Sequence, residues 1–315
     1  MAIETPQNTN NIEQIKKPKF RFMITRHAER LPTGELSEGG KEFAKSKGRQ
    51  MSEAEVLKGY ASDHPSKRAY DTAELITEES DIISLLTHKP YSTRIVEGIQ
   101  YGMLGPDFKP LLAKAKVVID TATLEAAGYS IERDEKGKLK VDIDKLSLEE
   151  QTKLAPIRAE RQHLGLNLLL QNPEAVHRMA MGLAAQIVKE LNIAERYKDM
   201  RDEKQPIKAD VVLNTATHGA FTESLLKEAG VFVDEHGKES YGDYNIEGDF
   251  GGYIKPGESI YLDVDDIANL PERIPVTFEG AERQMQQKVF IDLTKLRALS
   301  DNYKKWVNLK EKNSK

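Results

Sequence analysis

The stretch Thr25-Arg26-His27-Ala28-Glu29-Arg30 directly follows the alternating run Phe20-Arg21-Phe22-Met23-Ile24. Bulky apolar side chains recur at every second position of this run, which is the period of a strand with one face in a core. The predicted strand therefore ends in a cation, Arg26, followed by an imidazole, His27. Ligands of open α/β sheets bind beyond the carboxyl ends of the strands. This end of the predicted strand is where we expect a functional site.

Composition narrows the class of protein. A chain of 315 residues is long enough to bury a sizeable core in one large domain or two. The net charge of −5 and the pI near 5.9 disfavour general binding to nucleic acid or to anionic membranes. The sequence contains no cysteine, which excludes disulfides, thiolate chemistry and cysteine-ligated zinc.

Targeting signals are not evident either. The first 18 residues contain no apolar run of the kind found in a signal peptide. No stretch of the sequence reaches the roughly 18 to 20 consecutive apolar residues that a membrane span requires. We therefore expect a soluble cytoplasmic protein that does not bind membranes.

Three later segments, like the first strand, are followed by a side chain that could take part in binding or catalysis. Tyr60–Asp63 is predicted to be extended and precedes a predicted helix with Arg68 in its first turn. The apolar strand Val211–Leu213 leads to Thr217-His218-Gly219, and a strand candidate at Ser92–Val96 ends at Glu97. Because the carboxyl ends of parallel strands meet at one edge of a sheet, we expect these side chains to converge.

The remaining pattern predicts an α/β fold, a three-layer α/β/α sandwich with a mostly parallel sheet. Ser37 is a candidate N-cap for the first helix. Ile274–Phe278 is predicted to pair with Lys288–Leu293 as a late hairpin. One domain spans residues 19–300, between a flexible tail (1–18) and a polar C-terminal tail (301–315). Its insertion at about 105–175 is predicted to cap the sheet with two helical segments and a hairpin of 129–132 with 139–142.

These residue types suit phosphoryl transfer. A neutral imidazole such as that of His27 can attack phosphorus through one nitrogen while the other is held by a carbonyl. Arg26 and Arg68 can grip phosphoryl oxygens with planar, permanently charged groups. A second, charged histidine, His218, would neutralise the transferring group. A carboxylic acid must then protonate the leaving oxygen and later activate water.

The same motifs resemble those of the histidine phosphatase superfamily, also called the phosphoglycerate mutase-like fold. Thr25–Glu29 is similar to the Arg-His-Gly motif of the family, with Ala28 in place of glycine, and Leu36–Gly40 to the Leu-Thr-x-x-Gly that follows it. Ser62–Glu74 resembles the segment Ser-Pro-Leu-x-Arg-Ala-x-x-Thr-Ala, and Thr217–Gly219 the second-histidine motif. The resemblance covers residues 19 to 100 and 176 to 265 approximately.

The resemblance implies that His27 forms a phosphohistidine and that Arg26, Arg68 and His218 form the phosphate pocket. For the proton donor it favours Glu97, where the mutase-like branch keeps its acid. Glu29 and the more distant Asp63 stay open as alternatives, in that order. Arg30 is interpreted as a solvated side chain that could also meet an anionic substrate.

The expected function is hydrolysis of a phosphomonoester, either a small molecule or a phosphopeptide, through this covalent intermediate. Two alternatives remain: a mutase that returns the phosphoryl group to a bound product, and a non-catalytic anion-binding or scaffolding protein. The chemistry requires no metal or cofactor, and no His-x-x-x-His or His-Glu-x-x-His spacing occurs. Substrate identity and oligomeric state are not predicted, and specificity is expected in residues 98–175 and 241–253.

Overall fold

The computed structural model describes eight segments of the chain, residues 19–31, 33–51, 56–62, 67–79, 93–200, 210–242, 252–279 and 287–313. The predicted N-terminal tail, Asp63 and most of the loop 241–253 lie outside these segments. None of the helices in the described segments combines the length and apolar character that crossing a membrane requires.

Nine strands in the described part of the chain form a single sheet in the order β3-β2-β4-β1-β7-β8-β9-β5-β6. Their bounds are β1 Phe20–Arg26, β2 Val56–Ser62, β3 Arg94–Val96, β4 Val211–Thr217, β5 Gly230–Val233, β6 Glu239–Tyr241, β7 Ser259–Val264, β8 Arg273–Phe278 and β9 Lys288–Asp292. The α/β class is confirmed, and so is the late hairpin, which β8 and β9 form as an antiparallel pair.

The sheet is mixed, and the prediction of parallel pairing holds for three of the eight strand pairs in the described part of the chain. The pairs β3-β2, β2-β4 and β4-β1 are parallel, whereas the five pairs from β1-β7 to β5-β6 are antiparallel. Three of these antiparallel pairs, β5-β6, β7-β8 and β8-β9, join consecutive strands through connections of fewer than ten residues. Connections that short join antiparallel strands, because a parallel crossover needs a dozen or more residues and is usually helical.

Seven helices accompany the sheet in the described segments. They are α1 Glu38–Gln50, α2 Lys67–Glu79, α3 Lys109–Ala126, α4 Leu148–Leu170, α5 Pro173–Met200, α6 Phe221–Ala229 and α7 Leu293–Asn313. The predicted cap of α1 is confirmed, because the Ser37 side chain accepts a hydrogen bond from the backbone N–H of Gly40 at 3.0 Å. Such a bond satisfies one of the backbone donors that the first turn of a helix leaves unpaired.

The alternation of β1 divides the core between two helical layers. Phe20, Phe22 and Ile24 belong to a large cluster that includes the apolar face of α5. Met23, which points to the opposite face of the sheet, packs with Ala44 of α1 and Ile76 of α2. The sheet therefore lies between α1 and α2 on one side and α5 with its neighbours α6 and α7 on the other.

The segment 105–175 contains two long helices that pack against each other, α3 and α4. The hairpin predicted at 129–132 and 139–142 is reduced to one bridge, between Arg133 and Leu139, with backbone hydrogen bonds from Asp134 to the Lys138 carbonyl and from Lys140 to the Glu132 carbonyl. The turn between them is tight, because the Asp134 carboxylate accepts hydrogen bonds from the backbone N–H groups of Lys136 and Lys138. With its polar groups satisfied inside the turn, the flanking chain makes no regular ladder.

The C-terminal residues continue the last helix instead of leaving the domain. The predicted boundary at residue 300 falls inside α7, which extends to Asn313. Tyr303 and Trp306 are partly buried against the main core on this part of the helix. Contacts between α7 and α5 hold the segment in place.

Candidate active site

Strand register brings the predicted site residues to one edge of the sheet. Arg26, the last residue of β1, lies opposite Thr217 of β4, and the backbone N–H of His27 donates to the Thr217 carbonyl at 2.9 Å. His218 is the next residue after Thr217. The end of β2, at Ser62, lies on the other side of β4. His27 and His218 thus leave adjacent parallel strands at the same level.

His27 is held in one tautomer by its own loop. Its Nδ1 lies 2.9 Å from the Ala28 carbonyl oxygen, which can only accept, so Nδ1 carries the proton. The lone pair is consequently on Nε2. Burial of the ring, with further contributions from Arg68, His218 and Arg26, holds the pKa of His27 well below its usual range. The imidazole is therefore neutral, as a nucleophile must be.

His218 is buried beside His27 and is also neutral. Its Nε2 lies 3.1 Å from the Ser62 hydroxyl, and its ring stacks on Tyr101 with planes at 11°. Burial, followed by Arg68 and Arg26, lowers the pKa of His218 to about 3. The charged state that the sequence led us to expect for His218 therefore requires an additional negative charge nearby. A bound anion would offset the arginines and favour protonation.

Arg26 is fixed by two carbonyl-type acceptors from distant parts of the chain. One terminal nitrogen donates to the Ile254 backbone carbonyl at 2.6 Å, and the other donates to Oε1 of Gln162 on α4 at 2.5 Å. Gly219 leaves the space that this guanidinium occupies, since a Cβ there would lie 3.0 Å from the Arg26 Cζ. The cation is thus oriented before any ligand arrives.

Arg68 enters the site from the first turn of α2. The Thr72 hydroxyl donates to the Arg68 carbonyl at 2.6 Å and accepts from the Ala28 backbone N–H at 3.0 Å, which ties α2 to the loop of His27. Burial, reinforced by the nearby Arg30, lowers the pKa of Arg68 to about 9. The side chain nevertheless remains charged at neutral pH.

The site contains more positive charge and more hydrogen-bonding capacity than the protein itself uses. Within the described residues, the Nε atoms of Arg26 and Arg68 and the Nδ1 of His218 are buried without a hydrogen-bond partner. Buried polar atoms are normally paired, because an unpaired group loses its hydration without replacement. Orphaned groups on these three residues, two of them guanidinium donors, fit an anion such as phosphate.

Sequence reasoning underestimated Arg30. Arg30 lines the cavity. Partial burial of its guanidinium there, together with the positive charge of Arg158, lowers the pKa of Arg30. Tyr101 and Gln162 were not singled out at all. Tyr101 donates from its hydroxyl to the Gly219 carbonyl at 2.5 Å, and burial raises its pKa to about 12. The spacing of Arg30, three residues after His27, was a usable signal, whereas nothing local marks Tyr101 or Gln162.

The structure separates the two described candidates for the acid. Glu97 is exposed in a short 3-10 turn after β3 and does not line the cavity. Glu29 does line the cavity, two residues from His27, and its carboxylate accepts a hydrogen bond from the Ser37 hydroxyl at 3.1 Å. Asp63 lies outside the described residues. Of Glu97 and Glu29, only Glu29 lines the cavity.

The histidine and arginine side chains at the sheet edge lie at the base of a cavity of about 520 Å³. Its floor contains Arg26, His27, Arg68 and His218, and its walls are formed largely by the inward faces of α3 and α4. A volume of this size is typical of sites for small-molecule ligands. Within the described segments, no three histidine or carboxylate side chains cluster in a way that could hold a metal ion.

No protein-family model and no curated protein matches the sequence. Among solved structures, the chain is similar to a Hafnia alvei phytase in complex with tartrate, with a TM-score of 0.47, 8% identity and coverage of 92% of this chain and 96% of the phytase. It is also similar to the phytase from Citrobacter braakii, with a TM-score of 0.44, 12% identity and coverage of 91% and 98% respectively.

A third similar structure is the mycobacterial glucosyl-3-phosphoglycerate phosphatase, with a TM-score of 0.33, 13% identity and coverage of 84% of this chain and 100% of that chain. All three TM-scores lie below 0.5 and all three identities below 25%. Likeness at this level does not establish function, which must be argued from the site's own residues.

Proposed function

We propose that the protein is a phosphomonoesterase of the histidine phosphatase type that acts through a covalent phosphohistidine at His27. One observation carries the proposal. A neutral imidazole with its Nδ1 proton fixed lies 5.4 Å, ring centroid to ring centroid, from a second buried histidine, among arginines with unsatisfied donors. This combination supplies a nucleophile and an anion pocket in the same place.

In the first step, Nε2 of His27 attacks the phosphorus atom of the bound ester. A nitrogen–phosphorus bond forms while the bond from phosphorus to the leaving oxygen breaks, and the leaving oxygen takes a proton from an acid. In the second step, a water molecule gives its proton to the same group and attacks phosphorus. The nitrogen–phosphorus bond then breaks, which releases inorganic phosphate and restores neutral His27.

Arg26 and Arg68 bind the non-bridging oxygens and stabilise the charge that accumulates on them in the transition state. His218 contributes a further donor once the negative charge of the phosphate has raised its pKa. Arg30 extends this positive environment towards the cavity. Because Gln162 and the Ile254 carbonyl already orient Arg26, little reorganisation is needed at the moment of reaction.

We assign the acid to Glu29 and not to Glu97, the residue that the sequence favoured. Glu29 borders the cavity next to the nucleophile, whereas Glu97 is exposed outside it. A general acid must come within hydrogen-bonding reach of the leaving oxygen, directly or through one water. The Ser37 hydroxyl bond gives the Glu29 carboxylate a defined orientation.

The deciding experiment is capture of the phosphoenzyme. Rapid acid-free quenching after mixing with a ³²P-labelled aryl phosphate should leave label on the native protein through a bond that is stable in alkali and labile in acid. His27→Ala should retain its fold by circular dichroism, incorporate no label and release no phosphate. The control His236→Asn alters a fully exposed histidine and should behave as the native protein.

Normal phosphate release by His27→Ala would refute the mechanism. Binding of phosphate without turnover of any phosphomonoester would instead indicate the anion-binding protein. Transfer of the label to an added alcohol, with little phosphate release, would indicate the mutase. Measuring free phosphate and labelled alcohol in the same reaction distinguishes these results.

A further inference from the structure

The cationic side chains in the outer part of the cavity are already neutralised by the protein. Arg158 of α4 contacts Asp120 at 2.8 Å and Asp144 at 2.9 Å. Lys116 of α3 contacts the same two carboxylates at 2.7 Å and 3.2 Å, and Asp142 at 3.6 Å. Lys145 also contacts Asp142, at 3.5 Å, so three cations face three anions in one network. A second anionic group on a ligand would find no unmatched positive charge there.

The positive charge at the floor of the cavity, by contrast, is not paired with carboxylates of the described residues. Within the described segments, Arg26, Arg30 and Arg68 form no salt bridge with a carboxylate. Their charge is available to a ligand, and Arg26 and Arg68 supply it beside His27 and His218. The cavity therefore has one anion-binding end.

The wall between these two regions is mostly apolar. Side chains that line it recur at helical spacing on the inward faces of both helices: Leu112, Ala115 and Ile119 on α3, and Ala155, Ala159, Leu166 and Leu169 on α4. Ile143 of the connecting segment adds to the same surface. Contact with such a wall favours a ligand by removing apolar surface from water.

The geometry of α4 shows how far this wall extends. Gln162 marks the phosphate end, because it bonds Arg26, and Gln151 lines the cavity at the other end. Eleven residues at a rise of 1.5 Å per residue separate them by about 16 Å along the helix. A phosphate group occupies only the part of this length nearest Gln162. The remaining wall, towards Gln151, is therefore available to the leaving group of the ester.

We propose that the substrate is a phosphomonoester with a single anionic group and an uncharged, predominantly apolar leaving group that lies between α3 and α4. This inference rests on the proposed phosphatase function and specifies its substrate class. Sugar phosphates and polyphosphorylated polyols are poor matches, because their hydroxyl groups would lose water against the apolar wall and their further phosphates would approach paired carboxylates.

A series of straight-chain alkyl phosphates tests this class, since the intrinsic reactivity of the leaving alcohol changes little beyond the first members. For the native protein, we expect kcat/KM to rise about threefold for each added methylene from methyl to hexyl phosphate. Glucose 6-phosphate and myo-inositol hexakisphosphate should be turned over at least about 100-fold less efficiently than hexyl phosphate.

Matched variants on α3 locate the effect. Leu112→Asn places a polar group on the half-buried inward face, whereas Val117→Asn makes the same type of change on the exposed outward face of the same helix. Leu112→Asn should flatten the dependence on chain length and leave kcat/KM for methyl phosphate within about threefold of native. Val117→Asn should reproduce the native series. A general structural defect would lower every member of the series equally.

The outcomes separate the two proposals. A flat alkyl series, or polar phosphates turned over as efficiently as hexyl phosphate, would overturn the substrate class while phosphate release upheld the phosphatase. A Leu112→Asn variant that keeps the native dependence on chain length would also overturn it. Absence of turnover for every phosphomonoester would overturn the phosphatase itself and the substrate class with it.

Discussion

The imidazole rings of His27 and His218 lie edge to face, with centroids 5.4 Å apart and planes at 65°. Two protonated imidazoles at this separation, next to Arg26 and Arg68, would repel each other strongly. The structure avoids this because burial and the arginines lower the pKa of both rings. The positive charge of the pocket therefore resides on its guanidinium groups, and binding of an anion favours protonation of the histidines.

This relationship predicts unusual titration of both imidazoles. In the folded protein, the ring ¹⁵N shifts of His27 and His218 should stay those of neutral imidazole from pH 7.5 down to pH 5. In urea-unfolded protein, the same rings should titrate at about 6.5. Saturating tungstate should raise the pKa of His218, because the oxyanion offsets the charge of Arg68 and Arg26. A folded-state titration near 6.5 for either ring would contradict the electrostatics.

Glu29 and Glu97 should differ sharply on substitution. Glu29→Gln keeps the size of the side chain but removes the transferable proton, so kcat for an alkyl phosphate should fall by about 10² to 10⁴. The loss should be smaller for 4-nitrophenyl phosphate, whose leaving group needs less protonation. Glu97→Gln serves as the control and should retain native kcat for both esters. A large loss of kcat in Glu97→Gln alone would indicate that Glu97, the residue that the sequence favoured, is the general acid.

Gly219 should be intolerant of a methyl group. A Cβ at this position would lie 3.0 Å from Cζ and 3.1 Å from Nε of Arg26, so the guanidinium would have to move. We expect Gly219→Ala to weaken inhibition by inorganic phosphate about tenfold, or about 1.4 kcal/mol.

The control for this change is Gly102→Ala, where the nearest atoms to a Cβ are at 3.7 Å and belong to the flexible Gln100 side chain. It should leave phosphate binding unchanged. Isothermal titration with phosphate measures both variants directly. Unaltered affinity in Gly219→Ala would show that the position of Arg26 does not determine phosphate binding.

Glu190 should make stability depend on pH. It is fully buried on α5, accepts hydrogen bonds from Gln186 and Thr215 at Oε1, and its pKa is raised to about 7 by burial. Below pH 4.5 both the folded and the unfolded state hold the proton. Between pH 4.5 and 7 only the folded state keeps it, so this group lowers the free energy of unfolding as the pH rises, by about 3 kcal/mol in full.

Glu190→Gln removes this titration and preserves the accepting oxygen. Its free energy of unfolding in urea should therefore match the native value near pH 4.5 and exceed it by about 3 kcal/mol at pH 8. Glu195→Gln, an exposed change on the same helix, should show no such divergence. A difference between Glu190→Gln and the native protein that is independent of pH would exclude buried ionisation as the cause.

The amino-acid sequence by itself determined the parallel half of the sheet and the convergence of its strand ends. The period-two pattern of β1 defines which residues face each layer, and Arg26 and His27 follow because the chain direction is fixed. Arg68 and His218 meet them because parallel strands end at the same edge. These features depend on local patterns, which a sequence displays directly.

Only the tertiary structure distinguished the positions of the two candidate acids and determined the charge state of the histidines and the residues of the cavity wall. Glu29 and Glu97 both follow strands, and their difference is one of position relative to a cavity lined by α3 and α4. The pKa values of His27 and His218 depend on burial and on cations from other elements. Two antiparallel pairs, β1-β7 and β5-β9, likewise join strands that are distant in sequence. Such properties arise from contacts across long sequence separations, which no local pattern contains.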